Sequence, residues 1–110
     1  ILVGNASRDT GHILENIVFL ELIRRGYTVY VGQLAKGEID FVAQKAGVTE
    51  YYQVSETVLD PNTLHRELTP LKAIQDQYPK FLLTLDELNK NANYDGIQQR
   101  NVLEWLLESY

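Results

Sequence analysis

The sequence predicts an α/β fold, and three features indicate it. A stretch with helical periodicity opens the chain, segments rich in β-branched and aromatic residues follow, and an apolar run at residues 81–85 has the length of a buried strand. The predicted order is α-β-β-β-α-β-β-α, with a central mixed sheet flanked by helices. Since 110 residues suit one core, residues 1–110 are expected to form a single domain.

The first predicted element is a helix that Asp9 or Thr10 would cap and Gly26 would end. Arg24 and Arg25 place positive charge in the last turn, where the helix dipole favours it. The apolar positions that recur at the 3.6-residue period are Ile13, Leu14, Ile17, Val18, Leu22 and Ile23.

Three strands are predicted next, over residues 27–31, 38–43 and 50–55. Strand alternation would put Glu38 and Asp40 on one face, opposite Ile39 and Phe41. The last two strands form a hairpin around Gly47, for which the residues alone permit two registers.

A hairpin turn at residues 46 and 47 would set Asp40 opposite Gln53 and Glu38 opposite Ser55. A bulge at residue 47 would instead set Asp40 opposite Tyr52. Only the first register gathers the polar side chains into one cluster.

The second half begins with a predicted helix over residues 61–78, which Asp60 would cap and Pro79 would terminate. Pro70 predicts a kink or break within it. The run at 81–85 should be central in the sheet, and residues 89–96 should form a polar turn. A strand at 97–102 and a helix at 103–107 carrying Trp105 complete the chain. The apolar stripe of the second helix comprises Leu64, Leu68, Leu71 and Ile74.

The bulk composition restricts the function classes. A net charge of −5 repels nucleic acid on average, so any nucleic-acid contact requires a local basic patch. The absence of cysteine from the sequence excludes disulfides, thiolate metal sites and cysteine nucleophiles. No apolar run approaches the roughly 20 residues needed to span a bilayer, and a cytoplasmic location is expected. Because the chain starts at Ile1 and has no methionine, we expect a fragment of a longer protein.

The candidate chemistry lies on the first helix and the hairpin. Glu15, Asp40 and the triplet Gln53-Val54-Ser55 resemble the E, D and (D/E)-x-K motifs of the PD-(D/E)XK, or restriction-endonuclease-like, nuclease superfamily. Aspartate is depleted in strand interiors, which makes Asp40 notable in its own right. The resemblance favours the register that pairs Asp40 with Gln53.

A closer resemblance covers residues 11 to 107. Six segments, at residues 11–16, 24–27, 38–43, 52–55, 83–86 and 95–97, are similar to the C-terminal domain of unknown function in a family of prokaryotic AAA+ superfamily ATPases. This similarity implies that the missing N-terminal part is a P-loop ATPase and that ATP binds there, with no cofactor in this domain.

The nuclease resemblance also implies what the site has lost. Active members hold a divalent metal with the aspartate and the third-motif acid, and their lysine polarises the attacking water. Here Gln53 is a neutral ligand and Ser55 carries no positive charge. If a weak Mg²⁺ site survives, Asp40 and Glu15 would hold it. Lys36 and Lys80 are the nearest candidates for a relocated lysine.

We therefore expect an accessory domain with a degenerate pocket that interacts with DNA or another protein. The pocket would be lined by Glu15, Glu38, Asp40, Gln53 and Ser55. The alternative is an active metal-dependent DNA nuclease with a relocated lysine. The pairs of neighbouring charged residues Arg66-Glu67 and Asp86-Glu87 are interpreted as solvated charges.

Overall fold

The computed structural model describes residues 6–35 and 37–108. Its elements follow the predicted order, with a two-residue strand added inside the segment expected to be a polar turn. They are α1 (Ala6–Arg24), β1 (Thr28–Leu34), β2 (Gly37–Lys45), β3 (Val48–Val54), α2 (Pro61–Lys72), β4 (Lys80–Thr84), β5 (Asn93–Tyr94), β6 (Ile97–Asn101) and α3 (Val102–Leu107).

The strands form one six-stranded mixed sheet in the order β1-β2-β3-β4-β6-β5. Strands β1 to β3 are antiparallel, whereas β4 runs parallel to both of its neighbours, β3 and β6. The prediction that the apolar run is central in the sheet is therefore confirmed. Helices α1 and α3 pack on one face of the sheet and α2 on the other, so the domain has three layers.

Helix α1 includes Ala6, so the expectation that Asp9 or Thr10 caps it is wrong. Its end is as predicted. Gly26 has a positive φ of 95° and donates its N–H to Ile23 O (2.9 Å), while Tyr27 N donates to Leu22 O (3.0 Å). These are the two hydrogen bonds of a Schellman motif, which ends a helix by reversing the backbone at a glycine.

The apolar positions of α1 divide between two sides of the helix. Leu14, Val18 and Leu22 are buried against the sheet. Ile13 and Ile23 remain exposed, at 58% and 46% of their surface. The periodicity predicted the helix correctly, but only part of its apolar surface lies in the core of the described chain.

The β2–β3 hairpin has the first of the two predicted registers. Ala46 and Gly47 have positive φ angles of 52° and 82°, which a two-residue hairpin turn of the primed kind requires. Lys45 is consequently opposite Val48, and the ladder continues to Phe41. The alternative register, with a bulge at Gly47, is wrong.

Strand β2 carries a bulge at the candidate aspartate. Its pairing with β1 slips by one residue between Tyr30 and Gly32, and two β2 residues, Asp40 and Phe41, occupy the space of one on β1. As a result Phe41 packs on the α1 side, whereas Ile39 packs on the α2 side. The simple alternation that placed Ile39 and Phe41 on one face is therefore wrong, because a bulge changes the direction of the side chains that precede it.

Helix α2 begins as predicted, with the Asp60 carboxylate accepting Asn62 N (2.9 Å). It continues for two residues beyond Pro70 and ends at Lys72, so the predicted range of 61–78 is too long. In the segment that was expected to continue the helix, the Asp76 carboxylate accepts the Tyr78 N–H (3.0 Å). Such local side-chain to backbone bonds compete with helix formation.

The terminal elements agree with the prediction within one residue. Asn101 ends β6 and caps α3, since its Oδ1 accepts Leu103 N (2.9 Å) and Glu104 N (3.2 Å). Trp105 is buried on the face that α1 also covers. Across the described part of the chain, no helix combines the length and the apolar character that crossing a membrane requires.

Candidate functional site

The candidate site lies where β2 separates from β3. Backbone pairing between these strands ends with Phe41 opposite Tyr52. Beyond that point, Gln53 Oε1 accepts the Asp40 N–H (2.8 Å), and Asp40 Oδ2 accepts the Val54 N–H (2.8 Å). Side chains thus replace the backbone ladder. The prediction that Asp40 and Gln53 are direct cross-strand neighbours is confirmed.

The Gln53 carboxamide is buried and fully used. Its Nε2 donates to Glu67 O on α2 (3.1 Å) and, at a longer distance, to Glu38 O (3.4 Å). Because the oxygen receives an N–H and the nitrogen faces two carbonyls, the orientation of the amide is determined by its partners. Gln53 therefore connects β2, β3 and α2 at one point.

Asp40 is half-buried beside other acids. Burial raises the pKa of its carboxyl to about 6, and the Val54 N–H opposes this rise by stabilising the charged form. The negative charges of Glu15 and Glu38 raise the pKa further. The neighbourhood therefore disfavours an ionised Asp40, and α1 does supply Glu15 to this electrostatic environment, as the motif implied.

Glu67 is the residue that sequence reasoning missed. Burial raises the pKa of its carboxyl to about 7, Asp40 and Glu15 raise it further, and Arg66 lowers it. The interpretation of the pair at 66–67 as solvated charges is thus wrong for Glu67. Helical spacing could have found it, since residue 67 lies three positions after Leu64 and four before Leu71 on the buried stripe.

The second charged pair, Asp86-Glu87, is also only partly solvated. Asp86 is buried, and its carboxylate accepts Thr57 Oγ1 (2.6 Å) and Val58 N (2.9 Å). It holds the segment after β3 against the end of β4, while Glu87 is exposed. Asp86 has a structural role.

Glu38 and Ser55 do not take the roles that their predicted pairing implied. The Glu38 carboxylate is exposed and accepts Gln33 Nε2 (2.7 Å), and Ser55 Oγ donates to Thr57 O (2.9 Å). Glu38 thus binds a residue of β1 and Ser55 binds the loop after β3, because β2 and β3 have already separated at this point. The structure brings together Glu15, Asp40 and Gln53, and adds Glu67.

Of the two lysines considered as replacements, Lys36 lies outside the described residues. Lys80 is held at the start of β4, where its Nζ donates to Asp76 Oδ1 (2.9 Å) and Tyr78 O (2.9 Å). It is also close to the ring of Tyr51 (5.3 Å to the centroid). Lys80 therefore stabilises the loop before β4. Its position gives no support to a role beside Glu15, Asp40 and Glu67, which we call the acidic cluster.

The donor set does not suit a tightly held divalent ion. In residues 6–35 and 37–108, no three acidic, histidine or cysteine side chains are placed to hold one metal. Asp40 Oδ2 and Gln53 Oε1 already accept backbone N–H groups, so an ion would have to compete with the bonds that join the strands.

Comparison with known proteins gives a relative but no activity. No protein-family model matches the chain, and no solved structure matches it significantly. A Haemophilus influenzae (strain Rd) protein, described only as an uncharacterized protein, is 42% identical over 106 residues, which are 96% of this chain. The chain spans 26% of the length of that relative.

We predict that the two raised carboxyl pKa values make stability fall as pH rises. In the unfolded chain Asp40 and Glu67 titrate near 3.8 and 4.5, and in the folded chain at about 6 and 7. The folded state therefore binds more protons across this window, so the contribution is full below pH 3.8 and lost as pH rises through 7. Glu67→Gln should flatten the decline and keep the carbonyl that Gln53 uses.

Urea unfolding between about pH 4 and pH 8, at low and high salt, would measure this change in unfolding free energy. Glu67→Gln should exceed the wild type in stability at about pH 8, and the two should converge at about pH 4. Asp95→Asn, which changes a carboxylate that is 90% exposed in the turn between β5 and β6, is the matched control and should keep the wild-type pH slope. Parallel wild-type and Glu67→Gln curves would show that burial does not control this carboxyl.

Proposed function

We propose that this chain is a non-cleaving interaction domain of a longer cytoplasmic protein, with a restriction-endonuclease-like core and a degenerate nuclease site. The resemblance to the C-terminal domain of AAA+ superfamily ATPases supports a parent protein that binds ATP elsewhere. The match covering 26% of a longer relative is compatible with such an arrangement.

One observation carries the proposal. Asp40 and Gln53 lie at the positions of the two metal-binding acids of the nuclease motif. Their side chains instead accept backbone N–H groups of the opposite strand, Asp40 from Val54 and Gln53 from Asp40. Gln53 also binds the main chain of α2 through its nitrogen. These side chains join β2, β3 and α2, and a nuclease would need the same atoms for its ion. The position corresponding to the lysine is Ser55, whose hydroxyl binds Thr57 O.

The charge distribution favours a protein partner over DNA. Eight lysine and arginine side chains occur within residues 10–35 and 37–108, and six of them form ion pairs with carboxylates. A phosphate backbone would have to displace these carboxylates or accept their repulsion. The six are Arg24, Arg25, Lys72, Lys80, Lys90 and Arg100.

A second candidate function is a metal-dependent nuclease with a relocated lysine, and one observation favours it. Glu67 adds a half-buried carboxylate to the neighbourhood of Asp40 and Glu15, with a pKa of about 7 that a nearby cation would lower. In that case Asp40 Oδ2 would release Val54 N on binding the ion, and Lys36 would be the lysine still to be placed.

A cleavage assay separates the two functions. We expect no cleavage of branched or linear DNA in Mg²⁺ or Mn²⁺ by the full-length protein, and DNA binding no stronger than that of Asp40→Ala. Cleavage that requires the metal and is abolished by Asp40→Ala would contradict the proposal. Salt-sensitive DNA binding without cleavage would indicate that the partner of the domain is a nucleic acid and not a protein.

Gln53→Glu tests whether this is a vestigial metal site. The new carboxylate would face Asp40 and two main-chain carbonyls that now receive the Gln53 amide, so it should cost about 2 kcal/mol or more of unfolding free energy in chelator. An added oxygen anion also strengthens a hard-cation site, so Mn²⁺ should restore part of the loss. Thermal melts in chelator and in Mn²⁺ would measure both effects.

The matched control is Gln98→Glu, since Gln98 is an exposed side chain on β6 and should show little change in either buffer. A Gln53→Glu variant that melts at the same temperature with chelator and with Mn²⁺ would mean that positions 40 and 53 do not form a vestigial metal site. The structural role of Gln53 would stand in that case.

A further inference from the structure

The outer side of α1 carries a continuous apolar row, which we call the α1 stripe: Ile13, Ile17, Leu20 and Ile23. These side chains are exposed by 58%, 38%, 60% and 46%. They are spaced by four, three and three residues, so they lie along one side of the helix. The stripe is distinct from the inner row, Leu14, Val18 and Leu22, which packs on the sheet.

We propose that the α1 stripe is covered by another segment of the same polypeptide, beyond these 110 residues. This inference rests on the proposed function, because it names one surface through which the domain interacts. It also adds a site that the acidic cluster does not include, so the two can be tested separately.

The two rows make α1 apolar on opposite sides. A helix that faces solvent on one side normally carries polar residues there, and a helix that is apolar all round is buried. Helix α2 shows the ordinary pattern, since Leu68 and Leu71 are buried while His65 and Arg66 face solvent. The outer side of α2 is polar and suits solvent, whereas the outer side of α1 is apolar and suits contact with a further layer of protein.

The α1 stripe has no charged member, which restricts the kind of partner. The nearest charges on the helix, Glu21 and Arg24, bind each other (2.7 Å) and are thereby partly neutralised. Helices that bind anionic membrane surfaces carry basic residues on the side opposite their apolar side. In α1 the side opposite the stripe packs on the sheet, so the helix does not have this arrangement. The stripe is suited to apolar side chains of a protein.

Helix α3 carries further exposed apolar side chains. Helix α3 packs on the same side of the sheet as α1, and its Leu103 and Leu107 are exposed by 58% and 82%. The layer formed by α1 and α3 thus presents apolar side chains outward from both helices. A covering segment could contact both.

The length of the relative supports this choice of occupant. The 42% identical protein extends well beyond the matched residues, which are 26% of its length. A segment on the same polypeptide is present at a high effective concentration, so it covers an apolar surface before a separate molecule does. Covering also lowers the tendency of the exposed stripe to aggregate.

Hydroxyl-radical footprinting of the full-length protein tests the proposal. We expect oxidation of Ile13 and Leu20 to be several-fold slower than that of Leu59 and Leu88, which are exposed by 55% and 65% on loops. Equal rates in the two groups would overturn the proposal. A full-length product no longer than 110 residues would overturn it as well, because it would contain no covering segment.

Variants show whether the protection arises from apolar contact. Leu20→Asp should raise oxidation of Ile13 and Ile23 towards the rate of the loop leucines, and Leu88→Asp is the matched control that should leave them protected. Leu20→Ala, which adds no buried charge, should act in the same direction if Leu20→Asp does not fold. Unchanged protection in both Leu20 variants would contradict the proposal.

Dilution separates this occupant from a second copy. Intramolecular protection should be independent of protein concentration, with a monomeric mass by light scattering. Protection that disappears as a dimer dissociates would assign the surface to a second copy and overturn the proposal. The cleavage assay is independent of these outcomes, because DNA cleavage would refute the proposed function even if the α1 stripe were protected.

Discussion

Strand β2 is separated from β3 at Asp40, just before the paired segment that begins at Phe41, and two side-chain hydrogen bonds hold the strands together there. A separating strand exposes N–H groups that the ladder no longer satisfies, and unpaired buried N–H groups are costly. The Gln53 oxygen takes one such group and the Asp40 carboxylate takes another. The Gln53 nitrogen then fixes α2 through Glu67 O. The two strands of the sheet and helix α2 are therefore joined at the point where the sheet opens.

The same arrangement accounts for the electrostatics of the site. Drawing β2 and α2 together brings the carboxyl groups of Asp40 and Glu67 into a partly desolvated space that Glu15 also influences, so the pKa values of Asp40 and Glu67 rise. In a nuclease-like site, a cation would compensate such acids. Here a neutral glutamine stands between the strands and protonation can provide the compensation, which is consistent with the proposed non-cleaving domain.

Local sequence patterns were sufficient for the order of the main elements, because periodicity and turn residues are short-range properties. They left two β2–β3 registers open, and only the resemblance to the nuclease motifs favoured the one that the structure has. The bulge at Asp40 depends on the pairing with β1, which no local pattern specifies. Periodicity also did not show that α2 ends at Lys72, because Ile74 continues the apolar spacing beyond that point. Glu67 lies on the buried helical stripe, but because it is charged, its side chain was expected to be solvated. Periodicity also could not tell that half of the apolar surface of α1 faces away from the sheet, since it does not identify what covers a face.

The central claim is that Asp40 and Gln53 act as one unit, and a double-mutant cycle measures this most directly. Asp40→Ala, Gln53→Ala and the double variant would be unfolded in urea under identical conditions. If the two side chains jointly hold β2 to β3, the double variant should lose less than the sum of the single variants, with a coupling free energy of about 1–3 kcal/mol. Losses that add to within about 0.5 kcal/mol would show two independent side chains and contradict the account.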